Sequence, residues 1–249
     1  MLLDKHLEYS AATLDAIRIK GVAREQICIG SKANDLCELT NESRFIFKVP
    51  PEPEARPGMV AKNFMGIDLA LYQSHFGRLA SMHAMAVAKN VPAAATRSEL
   101  QAWFDFLNEL ATGDASIENA SRIAMKNPRM NELFDGGSIE FEDIIDADEI
   151  DKVRYRSIGM MLHLIQDSYT ASHCKRDAAG KLEQFYWYNG QDSHKHKAGD
   201  DVTPEHRTAM FQHCRTCLES VLDGVPYDHG PLLTLSDRAI HSGGGDFAK

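Results

Sequence analysis

Apolar side chains recur at helical spacing along most of the chain. Leu3, Leu7, Leu14 and Ile17 predict a first amphipathic helix over about residues 3–20. Residues 41–63 carry Pro50, Pro51, Pro53, Pro57 and Gly58 and read as a loop. A second apolar segment runs from Phe64 to about Ala88. A third is expected to open at the capping box Thr96-Arg97-Ser98-Glu99, to carry Leu100, Trp103, Leu107 and Leu110, and to stop at Gly113. A fourth helix is expected from Val153 to Tyr169. The last opens at Thr203-Pro204, a capping residue followed by proline at the first helical position, and continues to about Leu222. No series of strands with hairpin turns and no internal repeat stands out. The pattern predicts an all-α fold: one multi-helix domain over 1–240, followed by a flexible tail over 241–249.

A length of 249 residues suffices for one substantial core. The formal net charge of −9 argues against duplex nucleic acid as a partner, which needs a basic footprint. It leaves room for an enzyme whose metal ions supply positive charge locally. No run of 18 apolar residues predicts a transmembrane segment. The N-terminus carries Asp4, Lys5, His6 and Glu8 where a signal peptide needs an unbroken apolar stretch. The chain is therefore expected in the cytoplasm, or exported by a signal-independent route, or to begin after a removed segment. Five cysteines, an odd count, do not suggest a disulfide framework, and Cys214-x2-Cys217 lacks the second pair a structural zinc site needs. The stretch from Glu132 to Asp151 holds nine acids and no Lys or Arg; without EF-hand spacing it reads as a solvated acidic surface.

Candidate chemistry begins at Gly159-Met160-Met161-Leu162-His163-Leu164-Ile165-Gln166-Asp167. From Ile158 to Ile165 the one strongly polar side chain is His163, as expected of a buried helix. His163 and Asp167, four residues apart, share a face opposite Ile158, Leu162, Ile165 and Tyr169. A carboxylate carried inward needs a cation or a set of donors. A hydrogen bond within a structural pair or a divalent metal would serve. His173 lies about 15 Å beyond His163 on a continuous helix, so shared chemistry requires a break near Thr170 or a second ion. His83 and Asp68 are solitary polar residues in two further apolar runs, about 22 Å apart on a straight helix. A break near Gly77 is expected if they share an ion. His196 and Asp200 repeat the His-x3-Asp spacing, and so do His173 and Asp177.

The ordered series Asp68, His83, His163, Asp167, His173, His196, Asp200 resembles the ligand set of the zinc phospholipase C and fungal single-strand nuclease superfamily. It covers about 130 residues, and LHLIQDSYTASH is its most specific part. GRLASMHAM and HLIQDS are closer to bacterial phospholipase C-like members, whereas Asp200, an aspartate, follows the nuclease branch. The resemblance implies an all-α zinc phospholipase C-type bundle holding two or three Zn2+ ions. Asp68, His83, His163 and Asp167 would hold one zinc, and His173, His196 and Asp200 a second. Asp167 would bridge to a third, bound by His6 and, in the family, by the N-terminal amine and carbonyl of a tryptophan. Met1 and Leu2 stand at that end here. Asp68 would be a ligand, a general base, or both.

Three functional classes follow. The first is a phospholipase C releasing diacylglycerol and a phosphorylated head group, with Phe185, Tyr186, Trp187 and Tyr188 touching substrate or, transiently, a membrane surface. The second is a single-strand nuclease or nucleotidase in which those aromatics stack bases. The third is a non-catalytic, zinc-stabilised helical module that binds a protein. For the aromatic segment, a packed loop is the plainer reading. HExxH, GxSxG and P-loop motifs do not occur.

Overall fold

The computed structural model describes residues 3–36, 78–113, 117–134, 141–145, 149–188, 191 and 193–239. Asp68, the expected loop over 41–63, most of the second apolar segment and the tail lie outside them. Of the described residues 63% are helical and 8% are in strands, so the all-α expectation holds at the level of class.

The first helix, α1, spans Leu3–Ala16 and α2 spans Gly21–Gly30. The helix expected to reach residue 20 is thus cut short. Arg18 takes a left-handed φ of 63°, and the chain turns so that α2 folds back on α1. A four-residue helix, α3 (Ala33–Leu36), follows, and a 3-10 turn covers Ala80–His83. The second apolar segment is therefore not one continuous helix: beyond His83, Ala84 is left-handed at φ 52° and ends the turn.

Helix α4 spans Ala93–Thr112. It starts three residues before the expected capping box, because Pro92 fixes the entry and Ala93, Ala94 and Ala95 are strong helix formers. Thr96 and Glu99 are then interior and buried, with Glu99 paired to Arg129. Short helices α5 (Ile117–Lys126), α6 (Pro128–Leu133) and α7 (Glu142–Ile145) lead to α8 (Ile150–Asp167). An antiparallel pair, β1 (Cys174–Arg176) and β2 (Leu182–Phe185), departs from the strandless expectation. Helices α9 (Ser193–Gly199) and α10 (Pro204–Leu222) complete the order. Helix α10 starts at the expected Thr203-Pro204, with Cys214 and Cys217 buried as free core thiols.

Helix α8 is the axis of the fold and packs against α2, α4 and α10. Ile158, Met160, Met161, Leu162, Leu164 and Ile165 are buried, which explains its apolar circumference. Its end is built from local bonds. Thr170 donates both its N–H and its hydroxyl to the Asp167 carbonyl, at 3.0 and 2.9 Å, and Ser168 donates its hydroxyl to the Ile165 carbonyl at 2.7 Å. The half-buried Arg176 guanidinium donates to the Ser168 and Gly180 carbonyls and lies 4.1 Å from the Tyr169 ring centroid. A cation beyond a helix C-terminus stabilises the carbonyls exposed there. The helix thus ends at Asp167, before Thr170, which is the break expected if His163 and His173 share chemistry without a second ion, and the chain returns toward its own last turn.

Candidate metal centre

Six segments deliver one continuous cluster of imidazoles and carboxylates. α1 supplies His6, α3 supplies Asp35, the 3-10 turn supplies His83, α8 supplies His163 and Asp167, and the turn after α8 supplies His173. Helix α9 supplies His196, and Asp200 follows it. His6, His163 and Asp167 are completely buried, and His83, His173, His196 and Asp200 nearly so. The His6 and His163 rings stack with centroids 3.7 Å apart, and the His173 and His196 rings stack at 5.3 Å.

The hydrogen bonds fix which ring nitrogen faces inward. His6 Nδ1 donates to Gln166 Oε1 at 2.7 Å, and His163 Nδ1 to the Ser31 carbonyl at 3.0 Å. His173 Nδ1 donates to the His83 carbonyl at 2.6 Å, and His196 Nδ1 to Gln191 Oε1 at 2.7 Å. Gln191 is itself oriented, because its amide N–H groups donate to the Ser172 and Trp187 carbonyls. Since those four oxygens only accept, each Nδ1 carries its proton, and Nε2 is the nitrogen that each ring turns inward.

Every one of those Nε2 atoms faces a carboxylate. His6 Nε2 is 3.2 Å from Asp167 Oδ1, and His163 Nε2 is 2.9 Å from Asp167 Oδ2. His196 Nε2 and His173 Nε2 lie 3.3 and 3.7 Å from Asp200 Oδ1. His83 Nδ1 points into the same space, 3.2 Å from Asp167 Oδ2 and 3.1 Å from His163 Nε2. Burial pushes His6 and His163 below the usual imidazole range, and the neighbouring His6 lowers His163 further. Burial alone would raise Asp167, but the positive charge that His173, His163 and His6 carry when protonated holds it well below the usual carboxylate range. Asp200 is held low against its own burial, with His196, His173 and the Ser172 hydroxyl among the groups that lower it.

Lone pairs aimed at carboxylate oxygens across about 3 Å repel unless a proton or a cation sits between them, and desolvation disfavours the protonated imidazoles. His6 Nε2, fully buried, has no partner in hydrogen-bonding geometry. The donor set therefore fits divalent metal. Three groups have mutually close ligand atoms: His6, His163 and Asp167; Asp35, His83 and His163; and His173, His196 and Asp200. An imidazole whose far N–H is anchored on a fixed oxygen is the usual outer support of a metal-binding histidine.

The structure thus brings together seven of the eight candidate ligands, and Asp68 lies outside the described residues. Asp177, the acid of the alternative His-x3-Asp pair, instead accepts the Ala179 and Lys181 amides in the hairpin turn. Of the aromatic segment, Phe185 is a core residue and the plainer packed reading describes it. Tyr186, Trp187 and Tyr188 are half-buried. The Tyr186 carbonyl accepts the Ala86 N–H, and Tyr188 meets the His196 ring edge-on at 4.7 Å. Asp35, Gln166 and Gln191 were not singled out by the sequence pattern. Gln166 had a signal, a polar residue beside Asp167 in an apolar run; Asp35 and Gln191 had none.

Comparison with family models, curated proteins and solved structures gives no significant match.

Proposed function

We propose that the protein is a zinc-dependent phosphoester hydrolase acting on phospholipid in the manner of a phospholipase C. The observation that carries the proposal is the set of four buried imidazoles, each anchored through Nδ1 and each turning Nε2 onto Asp167 or Asp200. Structural zinc sites are closed and rich in cysteine, whereas this donor set is nitrogen and oxygen throughout and extended enough for more than one ion.

His6, His83, His163 and Asp167 would hold zinc at one end, and His173, His196 and Asp200 at the other. Zinc bound there supplies Lewis-acid polarisation of phosphoryl oxygens and an activated water near neutral pH. The chain's own contribution is a donor geometry set in advance. Gln166, Gln191 and the Ser31 and His83 carbonyls hold the imidazole planes, so little reorganisation accompanies reaction. Tyr188, against His196, offers an apolar face with a polar tip beside the second group, suited to a lipid or a base. The net charge of −9 favours a lipid head group over a polyanionic strand. No described helix is long and apolar enough to cross a membrane, so contact with a lipid surface would be peripheral.

A head-to-head assay on one zinc-loaded preparation tests the reading. Phosphatidylcholine vesicles are followed by release of phosphorylated head group, and single-stranded DNA by acid-soluble product, with H163A as the blank. Head-group release lost in H163A supports the proposal. DNA cleavage alone moves the substrate to nucleic acid, and inactivity on both with zinc retained favours a binding module.

A further inference from the structure

Asp35 lies on a helix of four residues, in the sequence Ala33-Asn34-Asp35-Leu36, yet it faces the inward nitrogens of His6 and His83 and lies 4.0 Å from His163 Nδ1, the nitrogen anchored on Ser31. Its position is fixed from both sides. Asn34 donates its side-chain amide to the Met82 carbonyl at 2.7 Å, tying α3 to the turn that carries His83. Ser31, two residues before α3, accepts the His163 Nδ1 proton through its carbonyl.

The two carboxylate oxygens of Asp35 diverge. Oδ1 lies 3.8 Å from His83 Nδ1, and Oδ2 lies 4.0 Å from His6 Nε2. Asp167 divides itself the same way, with Oδ1 3.2 Å from His6 Nε2 and Oδ2 3.2 Å from His83 Nδ1. Both acids thus reach toward the same pair of imidazoles. Separations of 3.8 and 4.0 Å exceed hydrogen-bond length. Tetrahedral zinc with bonds of about 2.1 Å sets its ligand atoms about 3.4 Å apart, so Asp35 reaches this spacing by moving inward by roughly half an ångström.

Resting on the zinc reading above, we propose that Asp35 is a second bridging carboxylate, acting with Asp167 across two zinc ions, one on His6 and one on His83 and His163. Asp35 supplies the His6 ion with a further side-chain donor beside Asp167. His6 thereby gains a site of three side chains, independent of what stands at the N-terminus. The Asp35 side chain is 14% exposed while those of His6, His163 and Asp167 are at 0%, so the Asp35 side is where an exchangeable ligand has access.

The test is zinc per chain after loading and desalting, with chelator competition, for wild type, D35N, D35E, H163A and H196A. D35N keeps the shape and removes the charge. It is expected to lose at least one zinc that wild type retains, to keep the ion of His173, His196 and Asp200, and to recover part of the loss in D35E. Affinity of the remaining first-group zinc should fall by at least about 10-fold, the lower bound for losing even an outer support. Wild-type zinc content and chelator resistance in D35N would overturn the proposal. Should D35N fail to fold by circular dichroism, anomalous diffraction at the zinc edge on wild type decides: density within bonding distance of the Asp35 carboxylate supports it, and zinc elsewhere overturns it. If wild type holds no zinc, or H163A keeps its full complement, the zinc reading itself fails. If H163A loses zinc and D35N does not, only the bridging role fails.

Discussion

Gly30 on α2 and Gly159 on α8 meet where the two helices cross, with room for a Cβ on neither. A Cβ on Gly159 would come 2.2 Å from the Ile27 carbonyl oxygen, and one on Gly30 would come 2.1 Å from that of Arg156. The contact sets more than packing. Ser31 follows Gly30, and His163 lies one turn beyond Gly159, so the crossing fixes the 3.0 Å bond from His163 Nδ1 to the Ser31 carbonyl. The neighbours that a Cβ would strike are backbone atoms and cannot rotate aside.

G159A should therefore lower stability by at least about 1–3 kcal/mol, the usual cost of overpacking, and should weaken zinc binding although residue 159 is no ligand. Urea unfolding of the metal-free protein and chelator competition on the loaded protein read the two effects. Unchanged values in both would mean that the helices separate without cost.

Gln191 isolates the support of a ligand from the ligand itself. In Q191L His196 keeps its imidazole but loses the oxygen that accepts its Nδ1 proton. Zinc at the second group should bind about 10–100-fold more weakly, with the first group unaffected. Equal affinities in Q191L and wild type would remove Gln191 from the support of the site.

Acid should destabilise the metal-free protein in two stages. His6, His163 and His213 are lowered by burial from 6.5, so the unfolded chain takes up their protons first. Their contribution is complete above about pH 6.5 and is lost as pH falls toward the lower folded values. Asp167 and Asp200, lowered from 3.8, keep theirs until pH falls through the carboxylate range. Denaturant unfolding at pH 8 and pH 5.5 should give the smaller stability at pH 5.5, and equal or greater stability there would contradict the burial of neutral imidazoles.

What the sequence made legible, and what it did not, follows the range of the forces involved. His163 and Asp167 stand out because an i,i+4 polar pair in an apolar helix is a local pattern. The start of α10 is equally local, since Thr203 and Pro204 carry its signal. The β1–β2 hairpin escaped notice because its strands are three and four residues long, and Lys175 pairs with Glu183 across them. The capping box at Thr96 misled because the favourable alanines after Pro92 start α4 earlier and bury Glu99 against Arg129. Asp35 and Gln191 act through partners far away in sequence, so no spacing rule points to them.

Two substitutions separate ligand chemistry from spacing. D177A should leave zinc content and hydrolysis at wild-type values, because the Asp177 carboxylate accepts the Ala179 and Lys181 amides of its turn; losing them should cost about 1 kcal/mol. D200E should retain part of both, since glutamate also ligates zinc but must displace the Ser172 hydroxyl that donates to Asp200. Zinc content and head-group release measured on one preparation test both, and loss of zinc in D177A would identify it as the acid partner of His173.

The metal centre itself is most directly tested by zinc X-ray absorption on the loaded wild-type protein, combined with the number of ions kept through dialysis. At least two zinc ions per chain, with a shell of nitrogen and oxygen at about 2.0–2.1 Å and imidazole scattering behind it, is the expected result. A sulfur shell at about 2.3 Å, or a chain that retains no zinc, would contradict it.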